Sequence, residues 1–333
     1  MSASSNIEWT DATWNPVVGC SVVSPGCTNC YAMRLAGSRL AHTMKYRGLT
    51  KDSNAGPVWT GEVRLWEKAL TDPLHWREPR KIFVNSEGDL FHESIPDEWI
   101  DRVFAVMALC PQHTFQLLTK RAERMRDYIS MLDDRFHGNP DLMGRTLGQA
   151  AVDLTDDPCA AHAIDDMTWP LPNVWLGVSC ERQQEADERI PLLLQTPAAI
   201  RFISAEPLLG PIDLRNLRDG TFNALDGIDF EAIGDIRDVG DLSKTQRPAT
   251  LNWVIVGGES GPNARPMRPQ WAREFRDKCQ AAGVSFFFKQ WGEWAPRWPG
   301  DRSEGQIMER VGKKADGRLL DGSEHNGFPE ARS

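Results

Sequence analysis

A chain of 333 residues with a formal charge of −9 is long enough for one large domain or two modest ones. It is too acidic for broad, non-specific nucleic-acid binding, although a local basic groove stays open to it. Its 41% hydrophobic content and 13 Trp argue for a buried core and against disorder.

The segment MSASSNIEWTD carries no basic stretch leading into an apolar one, so no signal peptide is expected. The longest apolar run, VFAVMALC at 103–110, is far too short to span a bilayer. The expectation is a cytoplasmic protein without membrane partners. In that compartment thiols stay reduced, and clustered cysteines point to metal or redox chemistry.

Short β-branched or aromatic runs alternate with helical patterns along the chain. VVGC reads as the first strand, and YAMRLAGSRLAHTM after it as a helix. GEVRL (61–65) is a candidate second strand. KIFVN (81–85) is a clearer third, and IPDEWIDRVFAVMALC follows as a helix with Trp99, Val103, Val106, Met107 and Cys110 at helical spacing. TFQLL (114–118) precedes the helical KRAERMRDYISML. NVWLGVS (173–179) precedes ERQQEADERIPLLLQ. AIRFIS (199–204) and LNWVIVGG (251–258) are the sixth and seventh strands. The helix WAREFRDKCQAAG ends at Gly283, a C-cap residue, and VSFFFKQ (284–290) is the eighth strand.

Strands apolar on both faces, alternating with helices, mean a parallel sheet covered by helices. The expected fold is therefore α/β, a parallel β/α barrel or partial barrel (TIM-like) over residues 1–296, with a doubly wound open sheet as runner-up. Two long insertions, at about 130–172 and 207–250, interrupt the order. Residues 297–333 form a polar tail with GRLLDG (317–322) as a candidate hairpin.

In such folds the active site lies beyond the C-terminal ends of the strands. Those ends here supply Cys20; Asn85, Ser86, Glu87, Asp89 and His92; Lys120 and Arg121; Ser179 and Cys180; Ser204 and Glu206; Gly257, Gly258 and Glu259; and Lys289. The catalytic candidates are Lys120, Glu206 and Glu259. Asn85, Ser86, Ser179, Glu206, Gly257, Gly258 and Glu259 are the candidates for binding a cofactor. Lys120, Arg121 and Lys289 suit anionic groups such as phosphate. The basic stretches TKRAERMR and REPRK read as solvated surface.

Cys20, Cys27 and Cys30 crowd three of the seven cysteines into one loop. Three thiols are an odd set for disulfides and one short of a closed four-ligand site. Cys180 or His42 could complete a zinc site. Alternatively, three thiolates could hold a 4Fe–4S cluster with one iron left open for a substrate or cofactor.

Three cysteines in a loop after the first strand of a β/α barrel resemble the radical S-adenosylmethionine enzymes. The resemblance implies a cluster whose open iron is chelated by S-adenosylmethionine, and cleavage of that cofactor to a 5′-deoxyadenosyl radical. The spacing differs from the superfamily's usual three residues and then two: here six residues and then two separate the cysteines. The Gly-Gly-Glu sequence falls at 257–259, near the seventh strand, rather than after the second.

A resemblance over nearly the whole chain rests on IEWTDATWNPVVGC, FVNSEGDLFHE, FQLLTKR, WLGVS, ISAEPLLG, WVIVGGESG and FFFKQWGEW. Together these are similar to a phage three-Cys-motif family, named for phage gene products thirty-seven and sixty-eight, of unknown function. That resemblance implies phage or mobile-element biology and a family often paired with a three-Cys-motif partner protein; it leaves the substrate chemistry open, with a nucleotide or nucleic acid as a plausible substrate in a phage setting. The alternative function is a zinc-stabilised, non-redox protein that processes or binds nucleic acid.

Overall fold

A computed structural model of the protein describes residues 5–138, 144–229, 249–298, 306–313, 315 and 317–330. Its centre is a seven-stranded sheet formed by β1 (Ala12–Trp14), β2 (Lys81–Val84), β3 (Thr114–Thr119), β4 (Val174–Ser179), β5 (Ile200–Ala205), β6 (Trp253–Gly257) and β7 (Ser285–Gln290). The helices α1 (Tyr31–Gly37), α2 (Asp97–Ala108), α3 (Ala122–Gly138), α4 (Gln183–Gln195) and α5 (Pro269–Ala282) lie between them in the chain.

The spatial order of the strands follows the chain without a reversal, β1 at one end and β7 at the other. The β1–β2, β2–β3, β5–β6 and β6–β7 pairs are parallel. A doubly wound sheet reverses its strand order at a switch point. None is present, so the sheet has the winding of a β/α barrel and forms a partial one. Every residue of β4 and of β6 is buried, as expected of strands covered on both faces.

The chain divides into two compact units. The first comprises Met1–Gly177, Thr196–Ile200 and Ala331–Ser333; the second, Val178–Gln195 and Arg201–Glu330. In the first, α2 starts with Asp97 and Glu98 in its first turn, where carboxylates favour the positive helix end. It buries Ile100, Val103, Phe104, Val106 and Met107. Trp99 is only half-buried, and Ile100 takes the place in the stripe expected of it. In the second, α5 has Pro269 in its first turn and stops at Gly283, whose φ is +69. Val284 N–H then returns to the Cys279 carbonyl at 2.9 Å, closing the helix as a Schellman motif.

The sequence reading needs correction between β1 and β2. The first sheet strand is Ala12–Trp14, ahead of the expected VVGC. Pro16 lacks the N–H that a continuing ladder needs, and Val17–Val18 pairs antiparallel with Arg64–Leu65 instead. GEVRL thus contributes a two-residue ribbon and no strand of the parallel sheet. The helix expected over YAMRLAGSRLAHTM ends at Gly37.

The described residues of 130–172 are largely helical. The helix α3 runs into it, and Gln149–Thr155 and Cys159–Asp165 follow as short helices that bury Ala151, Ala160 and Ile164. The alanines in QAAV and CAAHAI favour helix despite their acidic surroundings. Within 207–250, Leu208, Ile212, Leu214 and Leu217 are buried; residues 230–248 lie outside the described residues.

In the tail, Trp294–Arg297 pairs antiparallel with Ile307–Arg310. The expected hairpin at 317–322 is a turn closed by a bridge between Leu320 and Ser323. Beyond it, Phe288 N–H donates to the His325 carbonyl and Gly327 N–H to the Phe286 carbonyl, both at 2.9 Å. Those bonds occupy backbone groups on the outer edge of β7, where an open ladder invites aggregation.

Candidate functional site

The three-cysteine loop begins at a backbone constraint. Gly19 has φ +95, and a Cβ there would stand 2.2 Å from the Glu62 carbonyl oxygen. Only glycine serves in this position, and it delivers Cys20. A single helical turn over Pro25–Cys27 follows. Cys30 N–H then donates to the Cys27 carbonyl at 3.2 Å, and the Cys30 carbonyl accepts the first bond of α1, from Arg34 N–H at 3.1 Å. Cys20 and Cys30 both pack against one apolar cluster of Val18, Ala32, Met33, Ala36, Tyr46, Leu49 and Trp59. Cys27 is buried, with Sγ 3.8 Å from Ser24 Oγ.

Beside Cys20 lies a buried charge network that joins the ends of β2 and β3. Asp89 accepts from Thr119 Oγ1 (2.7 Å) and Phe91 N–H (3.1 Å) on one oxygen, and from Lys120 N–H (3.1 Å) and Arg121 Nη1 (3.0 Å) on the other. Arg121 also donates from Nε to Glu93 at 3.1 Å, from Nη2 to Ser21 Oγ at 2.7 Å, and from Nη1 to Cys20 Sγ at 3.6 Å. Arg121 was expected to meet an external anion. Its anionic partners are the chain's own carboxylates.

Ser21, His92 and Glu93 have the residue types of a hydrolytic triad but the wrong polarity. Ser94 N–H donates to His92 Nδ1 at 3.1 Å, so the neutral ring carries its proton on Nε2. That nitrogen faces Ser21 Oγ at 3.1 Å and donates to it. Burial and the Arg121 charge hold the His92 pKa below its ordinary value. As placed, His92 cannot take the Ser21 proton.

Burial, then the Asp89 carboxylate, pushes the Cys20 thiol up to about 12, with Arg121 opposing and the Cys27 and Cys30 charges adding. Burial likewise raises Cys30, with Cys27 adding and Lys120 close enough to favour the thiolate. The three thiols therefore interact, and none of the seven cysteines is in a disulfide. Burial favours the protonated thiol at Cys20 and Cys30. Among the described residues, no group of three or more His, Cys, Asp or Glu side chains is gathered tightly enough to hold a metal ion as it stands. The donors fit a soft metal in kind, and to hold one they would have to close together as they deprotonate and bind.

Asn85, at the end of β2, has φ +56. Its Oδ1 accepts from Val17 N–H at 3.2 Å. Its Nδ2 is buried and has no hydrogen-bond partner, an unusual condition for a buried donor. The Ser86 carbonyl accepts from Tyr31 OH at 2.6 Å, and Ser86 Oγ donates to Asn15 Oδ1 at 3.2 Å. Glu87 accepts from Tyr46 OH and from Lys45 Nζ. In the first unit, then, the three cysteines, Lys120 and Arg121 come together, with Asn85 and Ser86 on the adjoining strand end.

In the second unit, Glu206 Oε1 lies 3.2 Å from Lys289 Nζ and its Oε2 accepts from Ser204 Oγ at 3.0 Å. Gly257 packs against that carboxylate, and Gly258 against the Trp291 carbonyl. Glu259 is committed differently. Arg265 grips it in bidentate fashion at 2.8 and 2.5 Å, and Arg265 N–H adds a third bond at 2.8 Å. The Ser179 carbonyl accepts from Arg189, which also pairs with the fully buried Glu181. Cys180 is buried with Sγ 3.9 Å from the Glu185 carbonyl, and His42, in the first unit, is exposed.

Glu93, Ser21, Arg189 and Arg265 were not singled out from the sequence. Ser21 adjoins Cys20 and Glu93 follows His92, so each had a neighbour as its signal. Arg189 and Arg265 sit in a helix and a loop with no motif to mark them.

Among the described residues, no helix is long and apolar enough to cross a membrane. A family model described as "Protein of unknown function (DUF5131)" matches residues 4–329. No curated protein and no solved structure matches the chain.

Proposed function

Since the chain belongs to this family of proteins of unknown function, we propose from its site that it is an iron–sulfur enzyme of the radical S-adenosylmethionine type. Cys20, Cys27 and Cys30 are the ligands in this reading. The observation that carries it is the set of three uncrosslinked cysteines in one loop, placed after the first strand of a parallel sheet wound in chain order.

When bound, the group supplies an electron for reductive cleavage of S-adenosylmethionine. The chain's own residues do the rest. Arg121 and Lys120 offset the negative charge of the thiolates. Asn85 offers an unpaired amide donor to an acceptor oxygen of the cofactor or substrate. In a phage setting, a nucleotide or nucleic acid is the substrate class to test first and a three-Cys-motif protein the partner to test first.

Anaerobic purification followed by iron and acid-labile sulfide analysis tests the reading. Near-equal iron and sulfide, with a cluster spectrum perturbed by S-adenosylmethionine, is the expected result. A colourless protein carrying one zinc per chain would replace it with the structural-metal alternative.

A further inference from the structure

The buried Arg121 is far more engaged than a charge-balancing arginine requires. Its residue is 7% exposed, and each guanidinium nitrogen has a partner: Nε on Glu93, Nη2 on Ser21 Oγ, and Nη1 on both Asp89 and Cys20 Sγ. Its backbone is held as well, since Arg121 N–H donates to Thr119 Oγ1 at 2.9 Å. Thr119 Oγ1 in turn donates to Asp89. The planar fork is therefore fixed by β3 and the loop after β2. From there it reaches two consecutive residues of the cysteine loop, Cys20 and Ser21.

The geometry points to Arg121 as a positioning residue that holds Cys20 in register and donates an N–H···S bond to its sulfur when that sulfur is a ligand, an inference that rests on the iron–sulfur reading. An N–H donated to a ligating thiolate stabilises the more electron-rich, reduced state and raises the reduction potential. Only a guanidinium satisfies this set of partners at once. A lysine carries the charge but lacks the fork. Thr119, Asp89 and Glu93 act through Arg121 by fixing its plane.

The test compares wild type, Arg121→Lys, Arg121→Gln and the control Arg124→Gln. Arg124 pairs with Asp97 and reaches the Ile95 carbonyl. Iron and sulfide per chain and the midpoint potential are measured after anaerobic reconstitution. Apparent iron affinity should fall by about 10–100-fold in Arg121→Gln. The potential should drop in both Arg121 variants, more in the glutamine variant, and stay at the wild-type value in Arg124→Gln. Wild-type potential and affinity in Arg121→Lys would overturn the inference, because charge alone would then suffice.

A second measurement needs no metal. Alkylation of the metal-free protein, read by mass spectrometry as Cys20 labelling relative to Cys27, should accelerate in Arg121→Gln and in the milder Ser21→Ala. Unchanged Cys20 labelling in the folded variants overturns the positioning role. Wild type that takes up no iron and sulfide removes the iron–sulfur reading and the hydrogen bond to a ligated sulfur, and faster Cys20 labelling would then support only the hold on the free thiol.

Discussion

The carboxylate of Glu206 occupies the space that a side chain on residue 257 would need. A Cβ on Gly257 would lie 2.4 Å from Glu206 Oε1, and one on Gly258 would lie 1.8 Å from the Trp291 carbonyl oxygen. The two glycines of Gly-Gly-Glu thus serve close approach, one to a side chain and one to backbone. Gly257→Ala should cost about 1–3 kcal/mol, because the Glu206 carboxylate can shift. Gly258→Ala should cost more than about 4 kcal/mol, because a backbone carbonyl cannot. Urea denaturation of the two variants checks the order.

The cysteines should separate into two classes on substitution. Cys20→Ala, Cys27→Ala and Cys30→Ala are each expected to lose iron and sulfide together. Cys110→Ala and Cys279→Ala should retain both, since each is a buried thiol in apolar packing. Loss of all metal from Cys180→Ala would instead indicate a four-cysteine site. Elemental analysis of the six proteins decides it.

Cys110 and Cys279 also set an alkaline limit on stability. Burial pushes both thiols up to about 12, whereas an unfolded thiol ionises near about 8.5. The folded state therefore binds more protons above that pH. The stability these thiols contribute is complete below the unfolded pKa and falls as pH rises toward the folded one. The slope is about 1.4 kcal/mol per pH unit per thiol. Denaturation midpoints measured from neutral to alkaline pH should fall less steeply in a Cys110→Ala, Cys279→Ala double variant than in wild type.

Asp89→Asn should be among the most destabilising single changes in the first unit, by about 3–5 kcal/mol. It leaves Arg121 buried without its closest carboxylate and turns two of the four bonds into donor–donor conflicts. Equilibrium unfolding measures the loss. A change below about 1 kcal/mol would show that the network matters little to the fold.

Asn85 separates backbone from side-chain roles. Its φ of +56 costs a non-glycine, non-Asx residue about 1–2 kcal/mol. Asn85→Gly should therefore be more stable than Asn85→Ala by about that amount. Both variants should weaken S-adenosylmethionine binding equally, since both remove the unpaired Nδ2. Calorimetric titration of the loaded proteins checks the second half.

The sequence made the sheet legible wherever a strand was an apolar run bounded by polar residues, as in KIFVN, NVWLGVS and LNWVIVGG. It failed at GEVRL, whose alternation suits any short ribbon, and at Ala12–Trp14, which is too short and too mixed to stand out beside VVGC. The cysteine loop was legible from spacing alone. The Asp89–Arg121 network was not, because nothing local pairs an aspartate with an arginine 32 positions on; strand order creates that meeting. The Glu259–Arg265 pair escaped notice for a different reason: its partners are only six positions apart, but they sit in a loop with no motif that pairs them.

Because the strands join in the order in which they are made, the sheet can be extended at one edge as the polypeptide leaves the ribosome. The exception is the first step. β1 has no partner until β2 is synthesised, and residues 15–80, which carry all three loop cysteines, emerge in between. Gly19 then bridges to Gly88, beyond β2, and Arg121 arrives later still. The thiols are thus exposed to oxidants and stray metal ions during synthesis, well before the guanidinium that holds Cys20 exists. On the iron–sulfur reading, iron would have to be delivered after β3 has been added, and a protein overproduced faster than its iron supply should accumulate with these three cysteines oxidised.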